Sequence, residues 1–337
     1  MRVFFGFLAF FFLFIIFSGA LTVSLAIREF EKPILITEST LFEITRGDSV
    51  NHMAANLWRA EILDSPHIFQ VGTRLLKMDK SLKAGEYELQ PNMSPKDLLD
   101  LFQSGKTYQR QFTIREGLTS HEIENLLLQI EDINSKNIRL EPMSEGALLP
   151  ETYSYTKGES IIDVIHRMEK AMSDVKSDLC PSEPCWSAPL TSWGDVINLA
   201  AIVEKETAVA SERGRVAGVF INRLNKGMRL QTDPTVIYAL TQGKPENEGK
   251  GPLGRRLLRK DLAFDSPYNT YVYEGLPPGP IANPGRAAIE AVLAPEAHDY
   301  FYFVADGTGG HAFGKTLKEH NANVAKWRKI RRAQGQK

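Results

Sequence analysis

Apolar and polar residues follow three different patterns along the chain, and each predicts a different kind of element. The stretch from Val3 to Ala26 contains no charged residue. At about 1.5 Å per helical residue, it is long enough to cross a bilayer as one helix. Farther on, apolar residues recur at i, i+3, i+4 and i+7, as in Val50, Met53, Ala54 and Leu57, which predicts amphipathic helices. Short alternating runs between turn residues predict strands, so the pattern as a whole predicts an α+β fold.

Capping residues mark where several of these helices begin. Ser49 or Asp48 precedes one helical pattern, and Ser94 precedes another. Ser192, followed three residues later by Asp195, is a variant of the capping box and predicts a further helix start. The alternation of strands with capped helices predicts a small α/β module near the N-terminus and a second α/β region after it.

The last third of the chain is predicted to be mostly helical. Helices are expected over 215–227, from 233 onward, over 286–295 and over 317–337. The sequence DGTGG at 306–310 is glycine-rich but lacks the lysine of a phosphate-binding loop, so it predicts the turn of a β-hairpin. The segment 172–191 is rich in Ser, Asp, Pro and Cys and predicts a connection between domains.

The apolar N-terminus has two interpretations. Its length favours an uncleaved membrane anchor, whereas small residues near its end would suit a cleaved signal peptide. Arg2 favours an N-terminus on the cytoplasmic side. Arg28 and Lys32 follow the span, however, and reduce the difference in positive charge between its two ends. Residues 29–40 are predicted to form an extended, polar tether.

Composition excludes several classes of protein. Lys plus Arg (40) nearly balances Asp plus Glu (41), so the chain lacks the large positive charge that favours binding to nucleic acid. The seven histidines never occur at i, i+4 spacing, and no zinc-binding cluster is present, so neither a metal nor a cofactor is predicted. Cys180 and Cys185 would pair in an oxidising compartment and stay reduced elsewhere.

One acidic pair stands out in the sequence IVEKET. Leu199, Ile202, Val203 and Glu206 share one helical face, which places Glu206 on an apolar stripe. Glu204 points to the opposite face and is predicted to be solvated. A buried carboxyl has a raised pKa, which suits a general acid. The alternative is a structural ion pair between Glu206 and Arg213 or Arg223.

Long, ordered motifs give the chain a specific resemblance. IVEKET, RVAGVFINRL, MRLQTDPTVIYAL, SPYNTY, GLPPGPIANPG and YFYFVADGTGGHAF together resemble the endolytic murein transglycosylase (YceG-like) family. FTIREGLTSHEI and EGALLPETYSY match its central region. The cysteine pair and the segment 243–256 are not parts of the family pattern.

The resemblance implies an activity and a location. It implies a single-pass protein of the bacterial inner membrane whose bulk lies in the periplasm, and cleavage of the MurNAc–GlcNAc bond inside nascent peptidoglycan strands. The products would carry 1,6-anhydroMurNAc ends, which would terminate glycan elongation. Glu206, the second glutamate of the motif, is the implied catalytic acid. Glycan strands and the membrane are the implied partners, with peptidoglycan synthases as a further candidate.

The resemblance also divides the chain into four parts. The expected divisions are a cytoplasmic tip and transmembrane anchor (1–27), a tether and LysM-like module (28–106), a central α/β region and linker (107–185), and a catalytic domain (186–337). The LysM-like assignment depends on the short motif TRGDSV, and a generic small domain is an equal alternative.

Substrate contacts are predicted from motif position alone. They are Gln231, Asp233, Tyr238, Asn269 and Tyr271. For Asp233, which precedes Pro234, a helix start is an equally good interpretation. Two other functions stay open. A hydrolytic muramidase would need a second carboxylate, for which Glu204 and Asp233 are the nearby candidates. A peptidoglycan-binding scaffold would need no acid.

Overall fold

The computed structural model describes residues 2–34, 36–77, 82–135, 138, 140–244 and 252–333, and the side chains of residues 2–6, 8 and 9 are not described. Residues 245–251, within the segment that departs from the family pattern, lie outside the described residues. The chain forms two compact units. Unit 1 contains Met1–Arg110 and Tyr155–Gly158, and unit 2 contains Gln111–Ser154 and Glu159–Lys337. The four-part division expected from the sequence stays a prediction.

Unit 1 is a long helix followed by a small α/β module. Its elements are α1 (Arg2–Phe30), β1 (Thr40–Ile44), α2 (Val50–Arg59), α3 (Pro66–Leu75), β2 (Gly85–Leu89) and α4 (Pro95–Ser104). β1 and β2 pair antiparallel, with Thr40 opposite Leu89. Ser49 and Ser94 cap α2 and α4, as predicted.

The core of unit 1 is aromatic. Phe69 of α3, Tyr87 of β2 and Phe102 of α4 are fully buried, and the Tyr87 and Phe102 ring centroids lie 5.0 Å apart. Phe30 and Ile34 also belong to this core. The expected polar tether is therefore wrong for residues 30–34, because these two apolar side chains anchor the segment to the module.

The N-terminal helix has the length and composition of a membrane span. Its apolar part, Phe10–Phe30, has 21 residues and a mean hydropathy of 2.4. None of its most apolar window is buried within the protein. A helix whose apolar side chains are mostly exposed suits a hydrocarbon environment.

Unit 2 is mostly helical, with short strand pairs. Its elements, of which β3 and β4 each have one end residue assigned to unit 1, are β3 (Arg110–Thr113), α5 (Ser120–Gln129), β4 (Thr152–Tyr155), α6 (Ile161–Leu179), α7 (Trp193–Glu206), α8 (Arg213–Asn225), α9 (Asp233–Thr241), α10 (Arg286–Leu293), β5 (Tyr302–Ala305), β6 (His311–Gly314) and α11 (Leu317–Ala333). β3 pairs with β4, and β5 pairs with β6. The glycine-rich sequence DGTGG forms the predicted hairpin turn between β5 and β6. The whole described chain is mixed α and β, as expected.

Helix α7 is the centre of unit 2. Every residue from Val196 to Val203 is buried, and α7 packs against α8 and α10. Ser192 caps it by accepting a hydrogen bond from the Asp195 backbone. A helix enclosed by its neighbours along two full turns holds its last residue, Glu206, in a fixed position.

The predicted connection over 172–191 is only partly a connection. Helix α6 continues to Leu179, and Met172 and Val175 are buried in the same core as α7. Cys180 and Cys185 form a disulfide directly after α6. The apolar spacing on α6 thus outweighs the polar composition that favoured a linker.

Candidate active site

Glu206 is the last residue of α7, and its carboxyl group reaches an open cleft. Ile202 and Val203 in the preceding turn are fully buried, whereas Glu206 is half-buried. The hydroxyl of Thr232 donates a hydrogen bond to Oε1 of Glu206. The carboxyl is therefore oriented by a neutral donor, and neither Arg213 nor Arg223 forms an ion pair with it among the described contacts.

Thr232 is itself fixed by a small network of threonines. Its backbone N–H donates to Oγ1 of Thr270 at 3.2 Å, and Thr270 Oγ1 lies 2.8 Å from Oγ1 of Thr235. The preceding Gln231 has a positive φ of 48° and donates its backbone N–H to the Thr270 carbonyl. Such a left-handed conformation in a residue other than glycine carries strain, which the surrounding hydrogen bonds must offset.

A second carboxylate lies in the same cleft. Asp233 accepts a hydrogen bond from the Tyr271 hydroxyl at 2.6 Å. Burial, together with the negative charge of Asp233, raises the pKa of Tyr271 above its usual range. Tyr271 therefore stays a hydroxyl donor at physiological pH, and its interaction keeps Asp233 at the cleft wall.

Arg223 provides positive charge on the cleft wall. Its guanidinium donates to the carbonyls of Phe301 at 2.6 Å and Leu230 at 2.7 Å. It also lies over the Tyr302 ring, 5.4 Å from the centroid. Arg223 thereby holds the β5 segment and the loop before α9 together, and both contribute side chains to the cleft.

A histidine–glutamate pair completes the polar part of the cleft. Glu212 accepts one hydrogen bond from the His311 backbone at 3.0 Å, and its other oxygen lies 2.7 Å from His311 Nδ1. The Phe303 ring meets the imidazole edge to face, with centroids 5.3 Å apart. Because the carboxylate holds Nδ1, the imidazole is fixed in orientation, and Nε2 has no hydrogen-bond partner among the described residues.

The electrostatics of the cleft favour a protonated Glu206. Burial raises the pKa of its carboxyl, the Thr232 hydrogen bond lowers it, and the charge of Asp233 raises it again. The charges of His311 and Arg223 act in the lowering direction. The net pKa is raised, so Glu206 keeps its proton at a higher pH than an exposed glutamate and can donate it.

The cleft has a volume of about 530 Å³, enough for part of a sugar chain. Its wall combines charged, hydroxyl and aromatic side chains. The principal lining residues are Glu206, Arg223, Gln231, Thr232, Asp233, Tyr271, Tyr302, His311 and His320. No group of three or more His, Cys, Asp or Glu side chains that would hold a metal occurs in the part of the chain that the structure describes.

Four of the six residues predicted from the sequence lie together in this cleft, namely Glu206, Gln231, Asp233 and Tyr271. Tyr238 lines a smaller hollow of about 180 Å³ and packs on Tyr268, with centroids 4.9 Å apart. Asn269 is fully buried and donates to the carbonyls of Leu262 and Phe264. Nothing in this arrangement tests a substrate contact, so these roles stay predictions.

The expectation for Glu204 is wrong. Its side chain is only 5% exposed. It pairs with Arg213 at 3.4 Å and accepts a hydrogen bond from the Gly285 backbone at 3.1 Å. Helix α7 is enclosed on more than one face, so the face opposite the apolar stripe is buried too.

Sequence reasoning missed several cleft residues. Thr232 lies between two predicted contacts, but a threonine gives no chemical signal by itself. His311 follows the glycine-rich turn, whose sequence predicted a β-hairpin and no functional residue. Its partner Glu212 lies 99 residues earlier in the chain, in a polar segment before α8. Only the folded chain brings Glu212 and His311 together.

A half-buried carboxyl with a raised pKa, hydrogen-bonded by a hydroxyl in an open cleft that an imidazole also lines, has the features of a candidate general acid. The chain belongs to the YceG-like family, whose sequence profile matches residues 42–326. The family resemblance predicted from the motifs is therefore confirmed.

Two curated relatives of this chain have the same name. A protein of Bacillus subtilis (strain 168), named endolytic murein transglycosylase, is 33% identical over 320 residues, which cover 84% of this chain and 83% of the relative. A protein of the same name from Streptococcus pneumoniae serotype 2 is 30% identical, and the match covers 84% of this chain but 57% of the relative. The crystal structure of a yceG-like protein from Listeria monocytogenes gives a TM-score of 0.52 at 32% identity, covering 85% of this chain and 99% of that chain.

Proposed function

We propose that this protein is a membrane-anchored lytic transglycosylase that cleaves the MurNAc–GlcNAc bond within peptidoglycan strands and leaves 1,6-anhydroMurNAc ends. The observation that carries the proposal is the placement of the Glu206 carboxyl at the wall of an open cleft, hydrogen-bonded by Thr232, where burial raises its pKa. The names of the curated relatives support the same reaction class.

One carboxyl is sufficient for this reaction. Protonated Glu206 donates its proton to the glycosidic oxygen, the bond from that oxygen to C1 of MurNAc breaks, and GlcNAc leaves as an alcohol. The Glu206 carboxylate then accepts the proton of the MurNAc C6 hydroxyl while O6 bonds to C1. The acid is regenerated and no water is consumed. Glu206 alternates between acid and base, which requires a pKa near the working pH.

The other cleft residues have supporting roles in this scheme. The Thr232 hydrogen bond would stabilise Glu206 during the interval in which it is a carboxylate. The charges of Arg223 and His311 act in the same direction. Tyr271 offers a ring against which a pyranose can pack, and Gln231 and Asp233 offer hydrogen bonds to its hydroxyls.

A hydrolytic muramidase is the second candidate, and one observation favours it. Asp233 is a second carboxylate in the same cleft, held by Tyr271. It would serve as the base that activates water. Glu204, the other carboxylate considered from the sequence, is committed to Arg213 and Gly285.

Mass spectrometry of digested glycan strands distinguishes these functions. We expect 1,6-anhydro ends from the wild type, none from Glu206→Gln, and continued cleavage by Asp233→Asn. Reducing ends that disappear in both variants would establish the hydrolase instead. Cleavage by Glu206→Gln at the wild-type rate would show that Glu206 is not the acid. Glycan binding by the wild type without any cleavage would favour the scaffold.

The membrane and periplasmic parts of the proposal have separate support. Phe10–Phe30 has the length of a single span, and the Cys180–Cys185 disulfide suits an oxidising compartment outside the cytoplasm. We retain a LysM-like role in peptidoglycan binding for the module from β1 to α4. Protease digestion of unit 2 in intact spheroplasts would test the orientation, because only a periplasmic unit 2 would be digested.

A further inference from the structure

An apolar groove of about 500 Å³ in unit 1 lies between the end of α1 and α3. Most of its wall is aliphatic or aromatic. Helix α1 supplies Val23, Ala26, Ile27 and Phe30, and the opposite wall includes Ile68, Val71, Leu75 and Leu76. No part of the catalytic cleft contributes to this groove, since the cleft lies in unit 2.

The groove runs alongside the last part of the membrane span. Val23 and Phe30 are seven residues apart, which corresponds to about 10 Å of helix. Helix α3 is held directly against this end, because a Cβ added at Gly72 would come within 2.3 Å of Phe30 Cε2. If Phe10–Phe30 lies in the hydrocarbon, α3 is within about 10 Å of its boundary, the depth at which interfacial helices lie.

Helix α3 has two apolar faces. One face buries Phe69 in the core of unit 1. The other leaves Val71 46% and Leu75 57% exposed, and Leu76, directly after the helix, is 48% exposed. About half of the surface of these side chains stays open, although α1 lines the other side of the groove. A cluster of exposed aliphatic side chains continuous with a membrane span is best covered by the same hydrocarbon.

Charged groups surround the apolar face. Lys96 lies 3.9 Å from Glu31 at the rim of the groove. Arg74 and Lys77 are exposed at the end of α3. Basic side chains beside an apolar helical face are typical of elements that contact lipid headgroups while their apolar neighbours enter the acyl region.

We infer that α3 lies in the membrane interface and that the groove takes an acyl chain of a bilayer lipid. The inference rests on the membrane anchor of the proposed function and is independent of the reaction at Glu206. It adds a second membrane contact to the span, which restricts how far the module can tilt away from the bilayer surface.

Spin labels on the full-length protein in lipid nanodiscs test this placement. Single cysteines replace Val71, Leu75, Leu21 and Leu128 in separate variants, with the native disulfide left oxidised. Leu21 reports the span, and Leu128 is the matched control, because it is an exposed leucine on a helix of unit 2 with the same 46% exposure as Val71. Electron paramagnetic resonance then compares collisions with oxygen, which partitions into lipid, and with a water-soluble nickel complex.

We expect the ratio of oxygen to nickel collisions at positions 71 and 75 to be several-fold higher than at 128 and to approach that at 21. A lipid-like ratio at 21 with water-like ratios at 71 and 75 would overturn this inference and leave the anchor intact. A water-like ratio at 21 would overturn the anchor and the inference together. Neither result would bear on the products of glycan cleavage.

Discussion

The hydroxyl of Thr232 donates a hydrogen bond to the carboxyl of Glu206, and Asp233, the next residue, places a negative charge in the same cleft. These neighbours act on Glu206 in opposite directions. The Thr232 hydrogen bond lowers the pKa of Glu206, whereas the charge of Asp233 raises it. Burial has the largest effect and raises the pKa.

The two neighbours predict opposite changes in pH dependence. The general-acid step needs protonated Glu206, so activity falls as pH rises through its pKa. Thr232→Val removes the stabilising donor, which raises the pKa and moves this alkaline limb to higher pH. Asp233→Asn removes the charge, which lowers the pKa and moves the limb to lower pH. Profiles of kcat/KM against pH measure both, and shifts in the same direction would contradict the assignment of Glu206 as the acid.

Glu204 is predicted to contribute to stability. Because its side chain is buried against Arg213 and the Gly285 backbone, Glu204→Ala leaves Arg213 without its most buried partner. We expect a loss of about 3 kcal/mol in the free energy of unfolding, the cost typical of breaking a buried pair. Urea unfolding measures it, with the exposed Glu169→Ala on α6 as the control, for which less than about 0.5 kcal/mol is expected. Equal losses of unfolding free energy in Glu204→Ala and Glu169→Ala would instead indicate that Glu204 is solvated, as the sequence predicted.

The same residue predicts a pH dependence of stability. Burial, with the charge of Glu116, raises the pKa of Glu204 above its ordinary value. A carboxyl whose pKa is raised by folding contributes its full stability below the unfolded pKa and loses it as pH rises through the folded pKa. Glu204→Gln removes this titration. The unfolding free energy of the wild type relative to Glu204→Gln is therefore expected to decrease as pH rises from the unfolded pKa of Glu204 to its folded pKa.

Asn269 is predicted to act through the backbone of its loop. Its amide donates to the carbonyls of Leu262 and Phe264, and its oxygen accepts from the Tyr271 backbone at 2.9 Å. Asn269→Ala leaves these part-buried groups without their partner, so we expect a loss of about 2 kcal/mol in unfolding free energy and weaker cleavage through a displaced Tyr271. Unchanged stability with weakened glycan binding would instead indicate the direct substrate contact predicted from the motif.

The pair of Glu212 and His311 is predicted to act as one unit. Glu212 holds both the backbone and the ring of His311, so removing either residue should disturb the same imidazole. In a double-mutant cycle of Glu212→Ala and His311→Ala on kcat/KM, we expect a coupling energy of about 1 kcal/mol or more. The exposed pair Lys170 and Asp174 is the control, for which coupling near zero is expected. Additive effects would show that His311 does not depend on Glu212.

Much of the fold was predictable because local rules determined it. The i, i+3, i+4 spacing of Val50, Met53 and Leu57 predicted α2, and Ser49 marked its start. Caps at Ser94 and Ser192 were equally clear. In these segments the chain neighbours that decide the helix lie within one turn of each other, so the sequence contains all the necessary information.

Glu206 shows how far this reasoning extends into the site. Its place on the apolar stripe of α7 is a local property, and it singled out this carboxyl before any tertiary contact was known. The face opposite the stripe is not a local property. Glu204 is buried because Arg213 and the Gly285 backbone fold over it from α8 and the start of α10.

The sequence by itself therefore determined the apolar N-terminal helix, most of the capped helices and the one glutamate that interrupts an apolar face. Only the tertiary structure decided which groups meet that glutamate. Thr232 reaches Glu206 from the loop before α9, and His311 meets Glu212 from β6. Helical periodicity describes neighbours within a few residues, whereas the proton affinity of a buried carboxyl is determined by groups that only the packing of distant segments brings within a few ångströms.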